Sequence, residues 1–524
     1  MYNNQEKLII IDFGSQYTQL IANLIRRLKV YCEVVPYNKF HSISEELIKY
    51  NSLIKGIILS GGPFSVTNNI EKKYPSIDLM ILKNIDIPVF GICYGAQLIT
   101  AFFGGIVETT NNREFGSTKI KLNINEIDRI NQDKLLYKIE NEYDVWMSHS
   151  DTIIKPPSDS IILAYTQNNK IAIFRYNNFY GIQYHPEVTH SQYGNLLFEN
   201  IINICSCKKQ WTVEYCIENI CNNIKEIVHQ EQNVVMALSG GVDSTVAAHL
   251  INKAIGNQLT CVIINNGFMR KNEYESIIEY CKNFSMNIIH FDKSEEFYNS
   301  IKNITDPEEK RKNIGKTFID IFTNIAKSIS NAVWLGQGTI YPDVIESVEG
   351  IGMIKSHHNV GGLPKDMKLK LLEPLRNFFK DEVREIGLRL NIDKSIINRH
   401  PFPGPGLSIR ILGDITEDKI KILQEADYIF INKLKEYNLY DKIWQAGVIF
   451  LPIRSVGVMG DVRTYENIVA LRAITSINGM TADWYDFKHS FLSDVSNTII
   501  NNVKGINRVV YDISSKPPAT IEWE

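Results

Sequence analysis

Again and again along this chain a short apolar run breaks into a glycine-bearing turn and then into a helical stretch. Leu8 to Ile11 leads through Gly14 into Tyr17 to Leu28, Pro88 to Ile92 ends at Cys93, and Asn233 to Leu238 ends in Ser239-Gly240-Gly241. Strands joined through helices can pair only by crossover, so the rhythm predicts mainly parallel sheets covered by helices. Cys32 to Val35 and Gly56 to Leu59 extend the first series; Leu259 to Ile264, Asn287 to Phe291 and Ala332 to Leu335 extend the second. Ile171 to Tyr176 and Phe179 to Tyr184 flank Asn177-Asn178 and read as a hairpin. After His400 the connections lengthen, with β-rich stretches at Gly447 to Val458 and Arg508 to Ile513.

The expected architecture is α/β multidomain: two mainly parallel-sheet α/β domains, the second Rossmann-like, plus a smaller C-terminal α+β domain. The boundaries fall at 1–207, a helical linker at 208–232, 233–399 with a lid loop, and 400–524. At ~150 residues per domain, 524 residues agree with three such units.

Charge narrows the functional classes. Lys plus Arg is 56 and Asp plus Glu is 59, a balance that argues against a nucleic-acid or anionic-membrane partner. The longest uncharged run, Ile87 to Val107, has the length of a membrane span, but Pro88, Gly91, Gly95, Gln97, Gly104 and Gly105 interrupt it. Lys7 to Phe13 is too short for a signal-peptide core. Eight irregularly spaced cysteines read as reduced thiols, without the spacing of a zinc set. A cytoplasmic protein is expected.

Cys93 is framed by Gly91 and Gly95 between an apolar strand and an apolar helix. A nucleophile on such an elbow needs small neighbours, and a helix N-terminus favours its anionic form. An isolated cysteine there would more often be packing. His185-Pro186-Glu187 changes that, offering an imidazole as base and a carboxylate to orient it, while Gly61 and the Tyr94 amide can face a developing oxyanion.

In this order, Gly-Gly-Pro, cysteine elbow and His-Pro-Glu, the first 205 or so residues resemble the class I glutamine amidotransferases. The resemblance implies that Cys93 attacks the glutamine carboxamide with His185 as acid and base and Glu187 as orienter. It also implies that Gln97, Ser148, His149 and Asp151 contact glutamine. Ser150 stands where that family usually has glycine.

Ser239, Gly240, Gly241, Val242, Asp243, Ser244 and Thr245 follow a strand and open a helix, which makes a phosphate cradle without the Walker lysine. The string resembles the pyrophosphate loop of ATP pyrophosphatases, which split ATP into AMP and pyrophosphate. Mg²⁺ should accompany the phosphates, with Asp243 as its ligand. Asn265 replaces the acid usual in Asp-Asn-Gly. The Gly- and Lys-rich stretch Gly350 to Lys370 reads as a lid, with Lys355, Lys365 and Lys368 reaching for phosphates. Asp343 and Glu346, three apart, would share a helix face and couple the domains.

Three further blocks, Ile354 to Pro364, His400 to Leu407 and Lys516 to Glu524, resemble the GMP synthetase family. The resemblance implies that ammonia from glutamine aminates adenylylated xanthosine 5′-monophosphate (XMP), giving GMP, AMP, pyrophosphate and glutamate. Ammonia would pass between domains without release. Arg311, Gly404, Gln445, Arg508, Lys516 and Glu522 would then bind XMP, and a homodimer would form through the C-terminal domain. Kinase-type users of the same first domain, CTP synthetase and carbamoyl phosphate synthetase, do not expect the 239–245 string.

Overall fold

The computed structural model describes residues 5–40, 53–67, 77–85, 87–123, 133–168, 170–348, 369–476, 479 and 481–524. It divides into two units, Met1–Tyr215 and Cys216–Glu524.

The first unit is built on β1 (Lys7–Asp12), β2 (Cys32–Pro36), β3 (Ile54–Leu59), β4 (Val89–Ile92), β5 (Ile106–Leu122), β6 (Glu142–Lys155), β7 (Ile161–Thr166), β8 (Ile171–Tyr176) and β9 (Phe179–Ile182). They form one sheet in the order β2-β1-β3-β4-β9-β8-β7-β5-β6. The pairings from β2 through β9 are parallel, and those from β9 through β6 are antiparallel. The sheet is therefore mixed, more so than strand-to-helix rhythm alone predicts, because the later strands return through turns rather than crossovers. All six residues of β1 are buried, as a strand covered on both faces requires. Helix α1 (Thr18–Arg27) buries Ile21, Ala22 and Ile25, and α2 (Tyr94–Phe102) is buried over its first seven residues.

In the second unit, β10 (Asn233–Ala237), β11 (Leu259–Asn265), β12 (Ile288–Asp292), β13 (Ala332–Gly336) and β14 (Lys370–Leu372) make an all-parallel sheet ordered β12-β11-β10-β13-β14. The glycine-bearing string that follows β10 is itself partly helical. Helix α3 starts at Val242 and runs to Ile255, so Asp243, Ser244 and Thr245 form its first turn. Helices α4 (Glu273–Asn283) and α5 (Pro307–Ser328) follow. A second sheet joins β15 (Gln445–Met459), β16 (Val462–Thr475), β17 (Asp483–Trp484) and β18 (Ile506–Tyr511), with β15 and β17 antiparallel to β16 and β18 parallel to it. Helices α6 (Glu417–Glu436) and α7 (His489–Asn502) pack on it. One apolar cluster runs from Val235 on β10 through Phe322 and Phe430 to Ile506 on β18, so both sheets of this unit share a core. Among the described residues no helix is long and apolar enough to cross a membrane.

Candidate active site

Cys93 is the N-cap of α2, at φ 51° and ψ −104°, a backbone region that residues with a side chain seldom occupy. The elbow is held by register: β4 lies parallel to β9, Ile92 pairs with Ile182, and the Cys93 amide donates to the Ile182 carbonyl at 2.7 Å. Both flanking glycines are sterically required. A Cβ on Gly91 would lie 2.5 Å from the Gly95 backbone, and one on Gly95 would lie 2.4 Å from the Leu59 carbonyl oxygen.

His185 follows β9, so parallel pairing places it at the same sheet end as Cys93. Its Nδ1 lies 2.8 Å from Glu187 Oε1, and the Cys93 sulfur is near enough to act on its charge. Burial opposes a charged imidazole, but the Glu187 carboxylate and the Cys93 sulfur outweigh it and hold the His185 pKa well above its ordinary value. Tyr17 packs edge-on to the ring at 4.9 Å. Gly61 sits beneath the same ring, 3.2 Å from its Cε1 measured from the position of a Cβ. Tyr94 opens α2, where helix N–H groups face outward.

Ser148, His149 and Asp151 all lie on β6. The Ser148 carbonyl accepts from Cys93 Sγ at 3.8 Å, and the Asp151 carbonyl accepts from Gln97 Nε2 at 2.9 Å. The structure thus brings together all nine residues expected at this site. Ser150 occupies an ordinary position within β6, so the chain needs no glycine there. His149 is buried, which pushes its pKa down to about 4. Its Nε2 faces Glu114 Oε2 at 3.4 Å, and Glu114 in turn faces Lys170 at 3.6 Å. Glu114 escaped sequence reasoning because it meets His149 only through the β5–β6 register.

In the second unit, Ser239 Oγ lies 2.9 Å from Ser244 Oγ and accepts the Gly241 amide at 3.3 Å. The Ser244 and Thr245 hydroxyls donate to the Gly241 carbonyl at 3.0 and 2.9 Å. Gly240 has φ +74°, and a Cβ there would lie 2.4 Å from Ile277 Cδ1. Two cations frame this loop. Lys380 Nζ binds both Asp243 oxygens at 2.8 and 2.7 Å, and Arg399 donates to the Gly240 carbonyl at 2.8 Å while pairing with Glu273. Neither was legible in sequence: Lys380 lies 137 residues from Asp243, and Arg399 stands just before the conspicuous His-Pro-Phe-Pro string. Asn265 donates to Asp292 Oδ2 at 3.1 Å across the β11–β12 pair. An aspartate at 265 would set two carboxylates against each other there, which explains why an amide is suited to this chain.

Among the described residues no group of three ligating side chains could hold a metal by itself. One carboxylate beside a phosphate cradle suits Mg²⁺, which takes most of its ligands from water and substrate phosphates. Lys355, Lys365 and Lys368 lie outside the described residues. Asp343 and Glu346 are on the helix Tyr341–Val348, where Asp343 Oδ2 accepts the Ile340 amide at 3.0 Å and caps its own helix.

The six expected acceptor-site residues are only partly assembled. Glu522 is gripped by Arg410 through bonds of 2.9 and 2.7 Å, and accepts Gln445 Nε2 at 2.7 Å. Gln445 also donates to the Pro401 carbonyl at 2.9 Å, which places the turn bearing Gly404 beside it. Lys516 Nζ donates to the Gly479 carbonyl at 2.8 Å, and Gly479 packs on Trp444, the neighbour of Gln445. Arg311 instead reaches the backbone carbonyl of Glu524. Arg508 stands apart: it pairs with Ile468 in register, six residues along β16 from the Ile474 that faces Gln445, and donates to Ser455 Oγ at 3.2 Å. Six strand residues are roughly 20 Å. Arg410 and its second partner Asp427, 3.6 Å away, went unread in sequence because neither lies in a glycine turn or beside another polar cluster.

Three family models match the chain: class-I glutamine amidotransferase over residues 9–205, NAD synthase over 216–320, and the GMP synthase C-terminal domain over 432–523. The chain is 53% identical to a protein of Cytophaga hutchinsonii named GMP synthase (glutamine-hydrolyzing), over 99% of this chain and 100% of the relative. Identity to the similarly named proteins of Christiangramia forsetii and Porphyromonas gingivalis is 53% and 51%, again over 99% of this chain and 100% of each relative.

Proposed function

The chain belongs to the family of glutamine-hydrolysing GMP synthases, and from that premise we infer how its residues divide the reaction. It is a ligase that draws nitrogen from glutamine and energy from ATP to convert XMP to GMP. We assign glutamine hydrolysis to residues 1–207, with 208–232 as linker, ATP activation to 233–399, and XMP binding to 400–524.

The observation that carries the first assignment is the Glu187–His185 hydrogen bond of 2.8 Å beside a sulfur on a strained elbow. His185 takes the thiol proton as Cys93 Sγ bonds to the glutamine carboxamide carbon. It returns that proton to the leaving nitrogen as the C–N bond breaks, which frees ammonia and leaves a glutamyl thioester. Water, deprotonated by the same imidazole, then releases glutamate. The backbones at Gly61 and Tyr94 face the oxyanion. Gln97, Ser148, His149 and Asp151 hold the substrate.

In the second unit the xanthine C2 oxygen of XMP bonds to the α-phosphorus of ATP and pyrophosphate leaves. Ammonia then attacks C2 and expels AMP. Residues 239–245 hold the leaving pyrophosphate at the N-terminus of α3, and Lys380 and Arg399 fix the loop's shape. Mg²⁺ bound with ATP supplies charge neutralisation of the phosphate oxygens, and Asp243 is the residue that would hold it. Lys355, Lys365 and Lys368 belong to the lid. Glu522, Gln445, Gly404 and Lys516 form the acceptor site, with Arg311 next to the tail that carries Glu522 and Arg508 at its distant margin. Asp343 and Glu346 are assigned to coupling.

A homodimer through the C-terminal sheet is supported by the exposed apolar side chains Ile453, Val456, Val458, Val462 and Tyr465 on β15 and β16. The test of the whole reading is product analysis with XMP, ATP, Mg²⁺ and glutamine. Cys93→Ala abolishes GMP formation from glutamine and keeps it from ammonium salt, with AMP rather than ADP as the nucleotide product. Loss with both nitrogen sources, or ADP as product, would reject it.

A further inference from the structure

Asp151 Oδ1 accepts the Thr109 hydroxyl at 2.6 Å; Thr109 Oγ1 lies 2.9 Å from Thr67 Oγ1, and Thr67 Oγ1 lies 2.8 Å from Ser65 Oγ. An ionised carboxylate only accepts, so Thr109 must donate to it and must therefore receive the Thr67 proton, and Thr67 that of Ser65. The chain closes on itself, because Ser65 Oγ accepts the Thr67 amide at 3.2 Å. One end is the loop that follows Ser60-Gly61-Gly62-Pro63, whose Gly61 lies under the His185 ring; the other is the buried Asp151.

We propose that Ser65, Thr67 and Thr109 form a directed hydroxyl relay that positions the Asp151 carboxylate to select amides bearing an α-ammonium group, and that ties this selection to the placement of the Gly61 loop. The proposal rests on the reading of Asp151 as a glutamine contact. Glutamine carries a single cation, its α-ammonium, and a carboxylate is the group that pairs with it. Among the described residues Thr109 is the one side chain that donates to this carboxylate, through Oδ1. The relay thereby holds Oδ1 and leaves Oδ2 to pair with the α-ammonium group. Lengthened hydrogen bonds at the ammonium end would be felt at the loop, and the reverse. Thr67 and Thr109 are positioning residues, since both act through other groups.

The experiment compares hydrolysis of L-glutamine with that of glutaramate, the same amide without the α-amino group, by full-length wild type, Thr109→Val, Thr67→Val, their double variant, Thr109→Ser and Asp151→Asn. Loss of one hydrogen bond to a charged acceptor predicts that Thr109→Val raises the glutamine KM about tenfold, with kcat within about twofold. Thr109→Ser restores the wild-type KM, glutaramate hydrolysis is the same in wild type and Thr109→Val, and the two valine changes combine less than additively. Equal loss for both amides would mean a structural role and overturn the relay, as would an unchanged glutamine KM in Thr109→Val while Asp151→Asn raises it. An unchanged KM in Asp151→Asn would instead overturn the reading of Asp151 on which the relay stands. Ammonium-driven GMP formation serves throughout as the measure of folded protein.

Discussion

Arg410 holds Glu522 by two parallel hydrogen bonds, 2.9 and 2.7 Å long, while its own side chain is 2% exposed. Removing the carboxylate strands a guanidinium in the interior, where Asp427 at 3.6 Å is its remaining counter-charge. Glu522 keeps 18% of its side chain exposed, so the loss falls below that of a fully enclosed pair. Glu522→Ala is expected to destabilise the second unit by about 2–3 kcal/mol and to raise the KM for XMP. Thermal denaturation with XMP kinetics checks both, and an unchanged melting temperature would contradict the first.

Glu187 governs the charge on His185. Glu187→Gln should cut glutamine turnover by about 10²–10⁴-fold and leave ammonium-driven GMP formation intact. The change should also be visible in stability. Because the folded pKa of His185 is raised, the stabilisation from its imidazolium is complete below about pH 6.5, the unfolded value, and fades as pH rises through the folded one. The stability gap between wild type and Glu187→Gln should therefore narrow toward alkaline pH in a series of melting curves.

Gly240 holds a left-handed conformation that a side chain disfavours. Alanine there would have to adopt φ +74° and place its Cβ 2.4 Å from Ile277 Cδ1. Gly240→Ala is expected to lower pyrophosphate release with XMP and ATP by about 10²-fold or more, as misplacement of a phosphate-binding backbone by ~1 Å does, while Cys93-dependent glutamine hydrolysis persists.

Three buried histidines weaken the fold in acid. Burial holds His149, His249 and His400 each at about 4; His249 also bonds the Tyr280 hydroxyl at 2.7 Å, and His400 stacks on Tyr440 at 3.8 Å. Their pKa values are depressed, so the stability they confer as neutral rings is present above about pH 6.5 and is lost as pH falls toward 4. His249→Phe should remove up to one proton from the linkage, flattening the slope of stability against pH by up to ~1.4 kcal/mol per unit between those limits. A slope identical to wild type would remove His249 from the account.

What sequence reading reached and what it missed follow the same physical line. Cys93, His185 and the 239–245 loop were legible because each sits where backbone geometry restricts residue choice: a sharp elbow, the end of a hairpin strand, a left-handed glycine. Lys380, Arg399, Arg410 and Thr109 were not, because their roles come from partners brought near by sheet order and helix packing. A lysine 137 positions away leaves no local mark on Asp243. Arg508 shows the reverse case. It belongs to a stretch that matches the acceptor region, yet strand register carries it toward Ser455, away from Gln445. The mixed character of the first sheet was hidden too, since an apolar run reads alike whether its neighbour travels with it or against it.

The pairing of β9 beside β4 also bears on how the first unit matures. Sulfur and imidazole sit just past strands separated by nearly ninety residues but adjacent in the sheet, with β9 inserted between β4 and β8. A growing polypeptide that has finished the elbow but not yet threaded that interior strand carries an inert thiol. On the assignment of glutamine hydrolysis to Cys93 and His185, amide hydrolysis is expected to begin only once β9 has paired with β4, a strand made later than the elbow it completes.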